Sequence, residues 1–157
     1  MGDLAVLTRK SQKNFILFLK SKEAIVFILM LFTSVHVGAL SYRGYQTFWW
    51  LDIVMHLVGG MWAAMFILYL KDVYAPDLQS HLPFWGYVLC GVSIVVFVGV
   101  IWEWFEFLSD LIFVPRRADL RLQLGVFDTM KDLFMDFIGG FLMTLIIASG
   151  EQDNDKI

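Results

Sequence analysis

The chain has 157 residues, the length of one domain, and 59% of them are hydrophobic, with a mean hydropathy of +0.68. Soluble domains run nearer about 45–50% apolar, so this composition excludes an ordinary soluble fold and implies an all-α, polytopic membrane helical bundle. Net charge is −3 without a basic tract, which excludes nucleic acid as a partner, and the single Cys90 excludes a disulfide framework and any cysteine-based metal site.

Residues 1–23 alternate Arg9, Lys10, Lys13, Lys20 and Lys22 with Phe15, Ile16, Phe18 and Leu19, the pattern of a short amphipathic helix on the membrane surface. No small-residue cleavage site follows a short apolar region, which excludes a cleavable signal peptide, and the start MGDLAV lacks the Ser or Thr of a myristoylation signal. Four apolar stretches follow in a transmembrane domain over 24–149. They run from Ala24 to Tyr42, Phe48 to Leu70, Phe84 to Val114 and Phe127 to Ser149. Each meets the ~20 residues that a bilayer requires, and the third must tilt or project. Pro76, Pro83 and Pro115 all fall in connections, with Pro83 suited to the first turn of the third span. The tail 150–157 is polar.

The second and fourth spans open on one motif. Asp52-Ile-Val-Met-His56-Leu-Val-Gly59-Gly60 aligns with Asp132-Leu-Phe-Met-Asp136-Phe-Ile-Gly139-Gly140, both reading D-x-x-M-[H/D]-x-[V/I]-G-G. Shared Asp, Met and Gly-Gly outweigh coincidence between apolar segments, so the four spans are expected to form two related helix pairs.

Polar residues cluster toward one end of the spans. His36 lies late in the first, Asp52 and His56 early in the second, Glu103, Glu106 and Asp110 late in the third, and Asp128, Asp132 and Asp136 early in the fourth. Alternating direction brings them all to one side of the membrane, while the opposite halves are almost wholly apolar. Glu103, Glu106 and Asp110 share a helical face, as do Asp52 and His56. A charge at mid-bilayer costs about 2.5–3.5 kcal/mol even on the lenient insertion scale, so seven carboxylates demand compensation. Protons, the arginines of residues 115–121 or metal could supply it. One or two divalent ions do so most economically, and Asp/Glu with imidazole suits Mn, Fe or Zn, or Mg with histidine outside the coordination sphere. The expected metal ligands are Asp52, His56, Glu103, Glu106, Asp132 and Asp136, with Glu106 and Asp132 as catalytic candidates. Glu103-x-x-Glu106 is not the Glu-x-x-His of di-iron bundles.

Simpler roles compete at several positions. Asp128 and Asp110 are expected behind the ligands or beside a substrate anion, but Asp128 also suits an N-cap, Asp110 can meet water beyond the hydrocarbon, and Lys131 can snorkel to headgroups. His36 is either an interhelical hydrogen bonder or a ligand-side residue, His81 is a loop residue in solvent, and the Gly-Gly pairs suit close helix packing. Arg116, Arg117 and Arg121 belong to the connection expected over the cluster, where they contact lipid phosphate or hold a substrate anion.

Glu103-x-x-Glu106, a downstream arginine, then Asp132-x-x-x-Asp136-x-x-Gly139 resembles the VanZ-like families of small prokaryotic membrane proteins, which typically carry E-x-x-Q, an arginine and D-x-x-x-N-x-x-G. Residues 45–145 are more similar to the YjdF-type domain of unknown function, with its D-x-x-x-H-x-x-G-G in an early span. Glu106 and Asp136 replace the usual Gln and Asn of VanZ, which makes the site more acidic. The resemblance implies the fold and the site's location, and little chemistry.

Three functions compete. The first is a metal-dependent enzyme acting on a phosphate-bearing membrane lipid, with metal activating water or polarising a phosphoryl oxygen. The second is an ion- or proton-handling channel or transporter component, which four spans could form only as an oligomer. The third is an accessory subunit of a larger membrane complex; a b-type haem between His36 and His56 is a minor variant that the surrounding acids disfavour. Lys and Arg number seven on the N-terminal side and five on the other, which places both termini in the cytoplasm of a cell (inner) membrane protein.

Overall fold

The computed structural model describes residues 2–114 and 120–154. They form six α-helices and one 3₁₀ turn, with no strand among the described residues. The helices are α1 (Gly2–Leu19), α2 (Lys22–Ser41), the single turn α3 (Gly44–Thr47), α4 (Leu51–Tyr74), α5 (Phe84–Phe113) and α6 (Val126–Asn154), with the 3₁₀ turn Pro76–His81 between α4 and α5. Four of them are long and apolar enough to cross a membrane: Lys22–Ser41, Leu51–Tyr74, Phe84–Phe113 and Val126–Glu151. The spans expected from the sequence match these within a few residues. The second runs on past Leu70 to include Lys71 and Asp72.

Local chemistry sets the boundaries. Ser21 separates α1 from α2: its hydroxyl donates to Phe18 O (2.8 Å) and accepts from Ala24 N (3.2 Å), an N-cap that satisfies one of the first-turn amides. Pro83 sits one position earlier than expected, as the N-cap of α5. Gly125, at φ +122°, turns the chain into α6, a conformation that L side chains rarely adopt.

α4 and α6 lie side by side and parallel, and they form the most extensive helix pair. Motif counterparts touch: His56 of α4 meets Asp136 of α6. Lipid tails are as apolar as the side chains, so helices in a membrane associate by close packing rather than by hydrophobic exclusion. The Gly-Gly pairs supply that closeness. A β-carbon on Gly60 would fall within 3.0 Å of the Asp136 backbone, and one on Gly139 within 3.0 Å of the Leu57 carbonyl. α5 packs on both, with Gly91 against Thr144 and Gly140 against Val95. α2 is peripheral: 17% of its span is buried in the bundle, against 33–44% for the other three.

Below the acidic end, Met65, Leu68, Val88, Val92, Val95 and Ile147 belong to a buried apolar cluster. At the far end a charged cluster ties the first helix to the bundle. Lys20 Nζ pairs with Asp72 and Glu151, Lys71 pairs with Asp72, and Tyr87 donates to Glu151 (3.4 Å). Burial opposes charge on Lys20, but its bonds to Asp72 and Glu151 outweigh that and raise its pKa. Ile16 and Leu19 are buried in the core, and Ile16 packs at Gly150. The end of α1 is therefore docked on the bundle as well as amphipathic. Lys20→Met should undock it without unfolding the rest, read as faster amide exchange over α1 and α6 beyond Gly150, with the central α4–α6 amides unchanged.

Candidate metal centre

His56, on the second turn of α4, is the middle of the acidic end and only 5% exposed. Its Nδ1 lies 3.3 Å from Asp136 Oδ2; with that carboxylate ionised, the ring nitrogen donates. The other ring nitrogen, Nε2, faces Asp52 Oδ1 at 3.8 Å and Glu103 Oε1 at 3.9 Å. Two sets of three potential ligand atoms share this imidazole, Asp52–His56–Asp132 and His56–Glu103–Glu106, each set lying within 4.8 Å of one another. Asp136 belongs to neither. Glycines make room for its side chain, since a β-carbon at Gly99 would crowd Asp136 Oδ2.

The other acids have separable roles. Glu106 Oε1 accepts from Trp102 Nε1 (2.9 Å), one turn back on α5. Glu103 Oε2 accepts from Gln123 Nε2 (2.6 Å), while Glu103 Oε1 makes no hydrogen bond among the described residues. Asp132 is 1% exposed, and its Oδ1 likewise has no hydrogen bond, although Lys131 Nζ lies 3.3 Å away without hydrogen-bond geometry. Buried carboxylate oxygens left without a hydrogen bond in a membrane are costly unless a proton or a cation completes them.

Lys131 departs from the expectation of snorkelling. Its ammonium reaches Asp52 Oδ2 (3.0 Å) and Asp128 Oδ1 (2.7 Å), because three nearby carboxylates outcompete the headgroups. Asp128 is not the N-cap, since α6 begins two residues earlier. It accepts from Leu124 N (3.1 Å) and so closes the turn before the helix. Asp110 does not face open water. It is 7% exposed and accepts from the amides of Leu122 (3.1 Å) and Gln123 (2.9 Å), holding the chain that presents Gln123 to Glu103. Arg121 is exposed, and Arg116 and Arg117 lie outside the described residues.

His36 belongs to neither ligand set, although it lines the same cavity as His56 and Glu106. Its Nδ1 shares a hydrogen bond with Tyr45 Oη (2.6 Å), and its ring meets those of Tyr45 and Trp102 edge-on at 5.6 and 5.5 Å. Burial first, then the Asp52 and Glu106 carboxylates, raise the Tyr45 pKa, so the phenol stays protonated. These three rings roof a cavity of about 290 Å³ that runs from the centre down between α2, α4 and α5. Tyr45, Trp102 and Gln123 were not identified from the sequence. Only Trp102 carried a usable signal, its i,i+4 spacing to Glu106.

The model of a family described as a predicted membrane protein (DUF2238) matches residues 5–152. An uncharacterized protein of Thermotoga maritima is 32% identical over 106 residues, which cover 65% of this chain and 49% of that protein. The chain thus spans about half the length of that relative. No solved structure matches.

Proposed function

This chain belongs to the DUF2238 family of predicted membrane proteins, and from that premise we propose that its acidic end is a divalent-metal centre for chemistry on a phosphate-bearing membrane lipid. The single observation that carries the reading is the arrangement around His56. A histidine whose Nδ1 bonds a carboxylate while Nε2 faces further carboxylates has the orientation of metal-site imidazoles, in which the outer carboxylate fixes ring and tautomer. Asp52, His56, Glu103, Glu106 and Asp132 would hold the ion, and Asp136 would orient the imidazole rather than ligate. The donor set suits Mn, Fe, Zn or Mg. A bound ion would polarise a phosphoryl oxygen or lower the pKa of its water. Glu106 borders the cavity and would accept a proton there; Asp132, on the other side of His56, would anchor the ion.

The resemblance to VanZ-like and YjdF-type proteins supports this location, and the Lys/Arg distribution supports a cell-membrane protein with both termini in the cytoplasm. The apolar cluster of Met65, Leu68, Val88, Val95 and Ile147 beneath the centre weighs against an ion path through the monomer.

Protein purified in mild detergent is expected to contain near-stoichiometric divalent metal by elemental analysis. Asp132→Asn and His56→Ala should lose it while keeping helicity and elution volume. Metal-free wild-type protein, with both variants folding normally, would sink the reading and leave proton handling or partner binding as its successors.

A further inference from the structure

The cavity beside the centre has a shape that the metal alone does not require. Its upper wall is polar, with His36, Tyr45, His56, Glu106 and Asp136. Its lower wall is apolar and includes Leu29, Phe32 and Val98, near the middles of α2 and α5. From Leu29 to His36 the helix rises about 10 Å, so the cavity reaches from mid-span to the acidic end. Leu29 is 38% and Val98 40% exposed, and Thr33, also on the wall, is exposed as well. These residues therefore line the cavity and also form the outer surface at a depth where the surroundings are acyl chains. α2 lies against α4 but meets α5 through the His36–Trp102 ring contact at the top, which leaves the slot open to the side below it.

We infer that this slot is a lateral portal that takes the hydrocarbon tail of a phosphate-bearing lipid and sets its head against the centre under the His36–Tyr45–Trp102 roof; the head-group half of this inference rests on the metal reading above. The tail is matched by depth and by apolar walls. An aqueous solute would have to cross lipid to enter at Val98, whereas a lipid enters by lateral diffusion. The head is matched by charge only with metal bound. Asp52, Glu103, Glu106, Asp132 and Asp136 face the centre, against Lys131 and His56, and would repel a phosphate. A divalent ion among them makes the same place an anion site. Trp102 couples the two halves, because it roofs the slot and donates to Glu106.

The full chain, reconstituted in phosphatidylcholine nanodiscs, tests this with phosphatidic acid bearing a diazirine midway along one acyl chain. Cross-linked residues are read by mass spectrometry, and Phe107 and Leu111, exposed on the outer face of α5, report ordinary lipid contact. Labelling at Leu29, Phe32 and Val98 is expected to exceed that at Phe107 and Leu111 by about tenfold, the ratio set by a modest binding preference. Thr33→Trp and Val98→Trp each plug the mouth with a side chain that the lipid-facing surface tolerates. They should bring slot labelling down to the Phe107 level while keeping wild-type elution and metal content. Slot labelling no higher than at Phe107, or undiminished in both tryptophan variants, would overturn the tail site. Equal slot labelling by a diacylglycerol carrying the same diazirine, which has the tails without the phosphate, would overturn the head-group assignment. Slot labelling in a metal-free wild-type protein would remove the metal reading and leave the tail site standing; bound metal with uniform labelling would do the reverse.

Discussion

Replacing Lys131 by methionine is expected to tighten divalent-metal binding by at least about tenfold, or about 1.4 kcal/mol, although it removes a charge that the bundle uses. The ammonium sits 3.0 Å from Asp52 and 3.3 Å from Asp132, two of the ligands of one candidate set, so ammonium and ion compete for the same oxygens. At an effective dielectric of ~20, a unit charge about 4 Å away acts with about 4 kcal/mol. Lys131 is 24% exposed and can swing toward water, which reduces the effect toward the stated tenfold. Without metal the same variant leaves Asp52, Asp128 and Asp132 without their cation and should be less stable than wild type. Its melting temperature should therefore rise with added Mn²⁺ or Zn²⁺ more steeply than that of the wild type. Titration against a chromophoric chelator, with melting curves, measures both. Weaker metal binding in Lys131→Met would mean that the ammonium organises the site rather than competing for it.

Gly60→Ala and Gly139→Ala should each lower stability by about 1–3 kcal/mol, the range for overpacking a well-filled interface. Alanine ordinarily improves a helix by about 0.5–1 kcal/mol over glycine, so the sign here depends on contact and not on propensity. In both cases the new methyl would press on backbone, Asp136 for Gly60 and Leu57 for Gly139, and backbone cannot rotate away as a side chain can. Relief requires α4 and α6 to separate. Separation also draws Asp136 from His56, so the variants should lose metal in parallel with stability. Gly38→Ala is the control, since a β-carbon there meets nothing within 4 Å. Thermal unfolding in one detergent, with metal content at each point, decides it. Gly139→Ala melting with Gly38→Ala would contradict the close α4–α6 contact.

The two predictions bear on one point: the candidate metal ligands and the helix packing occupy the same stretch of chain. In each repeated motif the Asp and the residue four places on supply the polar site, and the Gly-Gly pair brings the other copy close enough for His56 to reach Asp136. A lesion in either part should therefore be felt in the other. Undocking α1 at Lys20 lies beyond the apolar cluster and should leave metal content unchanged.

Much of this was legible in the sequence because its signals are local. Runs of about 20 apolar residues give the spans, and the absence of water in a bilayer makes each of them a helix. The position of each polar residue along its span, with alternating span direction, gathers the acids at one end without knowledge of packing. The repeated Asp-x-x-Met and Gly-Gly fall on the two helices that pack most closely, α4 and α6.

Tertiary structure decided what depends on the rotation of each helix about its axis and on partners distant in the chain. Span position places Lys131 near the headgroups, and only the angle of α6 against α4 turns it onto Asp52. Asp132 and Asp136 look alike in sequence, yet Asp132 lies in a ligand set and Asp136 takes the far ring nitrogen, because His56 has two nitrogens about opposite edges of one ring. Asp110 became a backbone anchor because the chain returning through Leu122 and Gln123 passes over it, a contact with no sequence period. The slot beneath His36 and Trp102 exists because α2 stays at the edge of the bundle, and the amount of lateral packing around a helix is a property of its neighbours, which its own residues do not encode.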